Sequence, residues 1–151
     1  MSTTSTQPVH GSYLMPTLEH ATVSDAMHPG ILCCDPDATL TEIARLMASH
    51  HVHCVAVMGI SHDHGEKLAW GIVSDLDLLR ESITNRTGQT AAAIKCHETI
   101  TVEPATPLRE AAELMLTHRA SHLLVLDPQL QRPTGILSTL DIAGVIAWGE
   151  A

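Results

Sequence analysis

Two short stretches carry residue types that could grip a polar ligand. Gly71-Ile72-Val73 leads into Ser74 and Asp77, and Gly135-Ile136-Leu137 leads into Ser138 and Asp141, so an aliphatic run opens twice onto Ser-x-x-Asp. If the serine ends a strand and a helix starts just after it, the acid three positions on lies in the first helical turn, beside the serine hydroxyl. A carboxylate there can accept from both hydroxyls of a ribose, and the serine hydroxyl with the free N–H groups of the helix start can reach a sugar or phosphate oxygen. The same pair also has a plainer use, with Ser as the helix cap and Asp as a first-turn acid favoured by the helix dipole.

Histidine is abundant, at 11 in 151 residues, and clusters in His50-His51-x-His53-Cys54 and His62-Asp63-His64. His62 and His64 are weak metal candidates: alternate residues of an extended loop could face one ion, but no four-ligand spacing accompanies them. No dedicated metal site is expected, and a titratable surface loop is. The cysteines Cys33, Cys34, Cys54 and Cys96 follow no CxxC spacing and read as reduced thiols. Cys54 in a strand would point away from the neighbouring His53, so no positioned base activates it. No enzyme activity is expected, and no cofactor is required.

The charge balance narrows the partners. Eight Lys plus Arg against 17 Asp plus Glu give a net charge of −9, which removes the broad cationic surface that nucleic-acid binding needs. The longest apolar runs, such as Leu123 to Leu126, fall far short of the ~20 residues of a spanning helix, so no membrane contact is expected. The first residues, Met-Ser-Thr-Thr-Ser-Thr-Gln-Pro, have neither a basic start nor an apolar stretch, and a cytoplasmic protein is expected. With two Trp, one Tyr and no Phe, the core must be built from interdigitated aliphatic chains.

The elements that position these residues come as a repeat. At an offset of 68, Pro36, Leu40, Glu42, Ala44, Leu46, Met47, His50 and Val57 meet identical residues at Pro104, Leu108, Glu110, Ala112, Leu114, Met115, His118 and Val125. The offset falls to 64 at the Gly-Ile runs, the difference lying in one loop that is longer at Gly59 to Trp70 than at Asp127 to Thr134. An internal duplication accounts for this. Leu40, Ile43, Ala44 and Met47, like Leu108, Ala111, Ala112 and Met115, predict amphipathic helices at i, i+3, i+4, i+7. Their lead-ins, Asp35 to Thr39 and Glu103 to Pro107, supply capping side chains and, in the second copy, a proline near the first helical position. Cys54 to Met58 and Leu123 to Leu126 predict buried strands, followed by strands ending at Val73 and Leu137. A closing helix in each half has Leu76, Leu79 and Ile83, or Leu140, Ala143 and Ile146, on one face. The order strand-helix-strand-strand-helix therefore occurs twice. Each half is too short to be comfortably stable alone, so an α+β or α/β fold is predicted in which the halves pack through their sheets with pseudo-two-fold symmetry.

This doubled pattern, with Val23-Ser24-Asp25-Ala26-Met27 leading in, Pro-Asp-Ala-Thr-Leu opening a helix and Gly-Ile-Val-Ser-x-x-Asp closing a strand, resembles a tandem pair of cystathionine β-synthase (CBS) domains, the Bateman module. The resemblance covers roughly residues 21–149. It divides the chain into a flexible tail at 1–18, a first CBS domain at 19–85, a linker at 86–91 and a second CBS domain at 92–151. It implies a regulatory protein that senses energy state by binding an adenosine-containing ligand such as AMP, ADP, ATP, NAD or S-adenosylmethionine in clefts between the repeats. By resemblance, Ser74 and Asp77 serve one site and Ser138 and Asp141 the other. Phosphate handles map to His53 and His122, where relatives often carry Arg. The adenine slots map to Pro29 and Ile31 with Val52, and to His97 and Thr99 with Ala120. Arg45, Arg80, Arg119 and Arg132 read as solvated surface charges that could also contribute. A homodimer joined through helices is implied, with output in trans to an effector protein that the sequence does not identify. Because His122, Ser138 and Asp141 form the fuller set, Asp141→Ala is expected to weaken nucleotide binding more than Asp77→Ala. The alternatives are a dimerisation module with empty clefts and a histidine-based metal or pH sensor.

Overall fold

Aliphatic runs too short to form a large sheet make two small ones. A computed structural model describes residues 15–60, 68–84, 89–94 and 100–149. In chain order the elements are α1 (Val23–Ala26), β1 (His28–Pro29), β2 (Cys33–Cys34), α2 (Leu40–His50), β3 (Cys54–Ile60), β4 (Leu68–Ser74), α3 (Asp75–Ile83), α4 (Ala91–Ile94), β5 (Thr101–Val102), α5 (Leu108–His118), β6 (His122–Asp127), β7 (Arg132–Ser138) and α6 (Thr139–Trp148). The order β2-α2-β3-β4-α3 and its copy β5-α5-β6-β7-α6 are the strand-helix-strand-strand-helix units expected from the repeat. In each, the short first strand pairs parallel with the second across a helix, and the second pairs antiparallel with the third.

The two sheets are not built only from their own halves. The first has the order β2-β3-β4, but the second is β1-β7-β6-β5. β1 therefore crosses to the far half and lies antiparallel to β7, with His28 opposite Ile136 and Pro29 opposite Gly135. The turns before the sheets are exchanged in the same way. Val23 and Ser24 donate their N–H groups to the carbonyls of Thr106 and Pro104, while Ala91 and Ala92 donate theirs to Ala38 and Pro36. Each half thus receives the opening turn of the other. Gly135 is required at this crossing, because a Cβ there would run into the His28 carbonyl oxygen and meet Met27 Sδ at 3.1 Å.

Three aliphatic clusters follow from this layout. Val23, Leu108, Leu123, Val125, Leu137 and Val145 lie in the core under the second sheet, Ile43, Met47, Val55, Val57, Val73, Ala91 and Ile94 in that under the first. Cys54, Ala56, Ile72 and Leu124, with Ile31, Leu126 and Ile136 beside them, form a third where the sheets face each other. Alternation along β3 explains the split, since Val55 and Val57 point to the helices while Cys54 and Ala56 point to the other sheet. Met15 and Leu18, expected in the tail, pack against the second core.

Several local expectations are corrected. Ala44 is exposed, and α2 turns Ile43 and Met47 inward. Pro107 stands next to the first helical position of α5, as expected, but as its N-cap it leaves that helix without a side-chain cap, whereas Thr39 caps α2 with a full capping box. The apolar faces expected on the closing helices point outward: Leu76, Leu79, Ile83, Leu140 and Ile146 are exposed, as is Ala143. The capping boxes explain this, because Asp77 and Asp141 must reach back to their serines, which fixes the rotation of α3 and α6 and turns Leu78, Ile142 and Val145 inward.

Candidate functional site

The two Ser-x-x-Asp motifs stand at the ends of β4 and β7. Ser74 and Ser138 have extended backbones at the N-caps of α3 and α6 and accept from the N–H groups of Asp77 and Asp141, both at 3.2 Å. In return Asp77 Oδ2 accepts from the Ser74 N–H at 2.9 Å and from its hydroxyl at 3.1 Å, and Asp141 Oδ2 accepts from the Ser138 N–H at 2.8 Å. The capping use of the motif is therefore real. It does not exhaust the carboxylates, each of which offers about four lone-pair sites.

The second oxygen of each carboxylate meets a basic side chain. Asp77 Oδ1 accepts from Arg80 Nη1 at 3.1 Å, and Asp141 Oδ1 lies 2.7 Å from His28 Nδ1. The carboxylate side chains are only 12 % and 5 % exposed, so neither is turned out to bulk water. Their partners are well exposed, and Asp77 lies at the floor of a surface depression.

Around Asp77 that depression is a crevice of about 150 Å³ built by both halves. The first half contributes Ile72, Ser74, Leu76, Asp77 and Arg80, and the second contributes Ile100, Arg119, Ala120, Ser121 and His122. A carboxylate, two guanidiniums, two hydroxyls and an apolar wall converge there. Such a set can accept from sugar hydroxyls, donate to an anion and cover an apolar ring.

His122 is half-buried, and this burial pushes its imidazole below the ordinary histidine range, against the pull of Asp75, Asp141 and Asp77. Its Nδ1 lies 2.9 Å from the Ser121 hydroxyl. A ring so placed is neutral at pH 7 and serves as a hydrogen-bonding group rather than a charge. His53 is exposed and pairs through Nδ1 with Asp75 Oδ2 at 2.9 Å. Ala120 lines the crevice. Val52 is half-buried against the first core, and Ile31 against the contact between the sheets. Pro29 is exposed in β1, beside β7. His97, Thr99, His62 and His64 lie outside the described residues.

One grouping expected from sequence changes. His122 was placed with Ser138 and Asp141, and it is opposite Ser138 in the β6–β7 register, but it lines the crevice of Ser74 and Asp77. The site crosses the halves because residues preceding β6 face the helix that follows β4. Arg80 and Arg119, expected as solvated charges, both line this crevice. Arg80 is one helical turn beyond Asp77, a spacing visible in the sequence. Arg119 ends α5 in a left-handed conformation (φ 52°) that nothing in its type suggests, and His51 does the same after α2 (φ 54°). His28 had no local signal, since its partner Asp141 comes from the far half.

A larger cavity, about 370 Å³, lies away from this site and is lined by Cys33, Cys34, Asp35, Ala38, Glu42, Leu46 and Met58. Burial and the neighbouring Cys33 and Asp35 push the Cys34 thiol up to about 11, and burial raises that of Cys54 further. These thiols are protonated at neutral pH, which makes them poor nucleophiles. No group of three or more metal-ligating side chains occurs among the described residues. No helix among them is long and apolar enough to cross a membrane.

Comparison with known proteins agrees with the doubled architecture. A family described as CBS domain matches residues 23–84 and 92–147. The CBS domain-containing protein YhcV of Bacillus subtilis (strain 168) is 25 % identical over 132 residues, covering 86 % of this chain and 82 % of that protein. Among solved structures, CBSX2 in complex with AMP is similar with a TM-score of 0.65 and 24 % identity, covering 84 % of this chain and 96 % of that one. The CBS domain pair of MJ0100, in complex with 5′-methylthioadenosine and S-adenosyl-L-methionine, has a TM-score of 0.71 and 22 % identity, with the same coverage of 84 % and 96 %.

Proposed function

The chain belongs to the CBS domain family, with one repeat in each half, and on that premise we propose that it is a regulatory module which binds an adenine nucleotide of the AMP, ADP or ATP class between its repeats. The observation that carries this reading is the crevice at Asp77, where a carboxylate and two guanidiniums from opposite halves converge. Asp77 accepts from the ribose hydroxyls, Arg80 and Arg119 meet the phosphate, and Ile72, Ile100 and Ala120 cover the base. The adenosine-containing ligands of CBSX2 and of MJ0100 support the ligand class. Ser138 and Asp141, with Val52, His53, Pro29 and Ile31, form the second cleft.

Because the crevice walls belong to different halves, a ligand that favours one packing of the halves shifts that equilibrium by its difference in affinity. The outcome passes in trans to an effector protein in the cytoplasm, with no catalytic step and no resident cofactor. The outward apolar faces of α3 and α6 support a homodimer, since Leu76, Leu79, Ile83, Leu140, Ile146 and Trp148 are 56–78 % exposed. Thermal unfolding with and without millimolar AMP tests the reading. A ligand present at about 100 times its dissociation constant adds about 2.7 kcal/mol to stability, and an unchanged midpoint with AMP, ADP and ATP alike overturns it in favour of a dimerisation module.

A further inference from the structure

The crevice at Asp77 holds more polar groups than free donors. Arg80 is held by Asp77 at 3.1 Å, the Ser74 hydroxyl donates to the same carboxylate at 3.1 Å, and the Ser121 hydroxyl is engaged with His122 Nδ1 at 2.9 Å. Arg119 lines the crevice and makes no ion pair among the described residues. Its guanidinium is charged at every working pH. An entering anion therefore finds one guanidinium unengaged and a second shared with a carboxylate. That set matches a single phosphoryl group, two of whose oxygens a guanidinium fork can meet at once.

The ground beside the crevice is acidic. Asp75 stands in the chain between Ser74 and Leu76, both of which line the crevice, and its Oδ2 lies 2.9 Å from His53 Nδ1. Its side chain is 55 % exposed, so it faces whatever leaves the crevice on that side. Of the carboxylates that act on His122, another lining residue, Asp75 exerts the strongest pull, ahead of Asp141 and Asp77. The helix start does not require an acid at this position, since the repeat puts Thr139 there in the second half. At about 150 Å³ the crevice is smaller than the ~300–1,000 Å³ usual for ligand pockets. A longer phosphate chain must therefore extend past it, into the field of Asp75 and Asp141.

Resting on the nucleotide reading above, we infer that the Asp77 crevice selects nucleoside monophosphates over di- and triphosphates: Arg119, with Arg80 beside it, takes the single phosphate, and Asp75 repels any further one. Ligands that share base, ribose and first phosphate are told apart only by what meets the rest, and a placed like charge is an effective means of rejection. Asp75 is thus a specificity-determining residue that need not touch AMP.

Titration calorimetry of the full chain with AMP, ADP and ATP in magnesium-free buffer at about pH 8, where a phosphate monoester is fully ionised, tests this. AMP is expected to bind roughly tenfold or more tighter than ATP, with ADP between. Asp75→Asn is expected to strengthen ATP binding roughly tenfold while moving AMP by less than about threefold. Asp75→Ser is the second variant: a disturbed helix start weakens both ligands alike, whereas lost repulsion strengthens ATP. Asp35→Asn removes one charge at the other cavity and is expected to change neither affinity, which separates a local effect from net charge. ATP bound as tightly as AMP by the parent, or a ratio of the two that both Asp75 variants leave unchanged, overturns the inference and leaves the nucleotide reading standing. Absence of binding by all three nucleotides overturns both.

Discussion

Asp77 does two jobs with one carboxylate, capping α3 through Oδ2 and holding Arg80 through Oδ1. Its removal therefore costs both stability and binding, and a readout that separates them is needed. Ser74→Ala loses the cap while sparing the carboxylate, and is expected to destabilise the protein by about 1 kcal/mol, measured by chemical denaturation, with a smaller effect on AMP affinity than Asp77→Ala. Because the crevice gathers Asp77 with Arg80, Arg119 and His122, Asp77→Ala is expected to weaken AMP binding at neutral pH more than Asp141→Ala. This reverses the order that sequence alone suggests, and a larger loss at Asp141 would restore it. His122 has a consequence for stability. Its folded-state imidazole is held below the ordinary range by burial, so the unfolded chain takes up its proton first as pH falls. Stability is accordingly highest above about pH 6.5 and declines on acidification below it. His122→Gln is expected to reduce that acid-side decline in urea midpoints measured across the range. At this scale the sequence was legible where partners are local. Ser74 with Asp77 is a contact three residues long, whereas His28 with Asp141 is made by the fold and has no trace in spacing.

The elements were legible in the same sense. Periodicity located α2 and α5, and short apolar runs located β3 and β6 with β4 and β7 after them, because each pattern is local and each recurs at its copy. What failed was the direction of the closing helices. Leu76, Leu79 and Ile83 do form a stripe, but the capping box turns it outward, and α6 is apolar on nearly every side, so periodicity alone cannot choose its buried face. In the proposed homodimer the exposed stripe is the surface expected to meet the second copy. Leu79→Glu with Ile146→Glu is expected to convert a dimer to a monomer in sedimentation or light scattering, with the fold kept because neither side chain is in a core. Retention of the dimer would locate the interface elsewhere.

The whole molecule is tied together by exchange. Val23, fully buried, fills the core under the second sheet although it precedes every element of the first. Val23→Ala is expected to cost about 2 kcal/mol and to loosen the second sheet, read by hydrogen exchange at β6 and β7. Gly135→Ala is expected to push β1 away from β7 and with it His28 from Asp141, weakening the cleft of Asp141 while leaving that of Asp77 in place. The sequence divides cleanly into two copies, yet the division in space follows a different line, since strand partners distant in the chain leave no periodic signature.

Opening turns that dock on the opposite repeat set a limit on what one repeat can do alone. A single repeat has no neighbour within its own chain to receive that turn, so by itself it can complete its core only by pairing with a second copy. A fragment spanning residues 89–149, which keeps Thr90 and Ala91, should accordingly either reassemble by swapping that turn with a sister fragment or fail to fold.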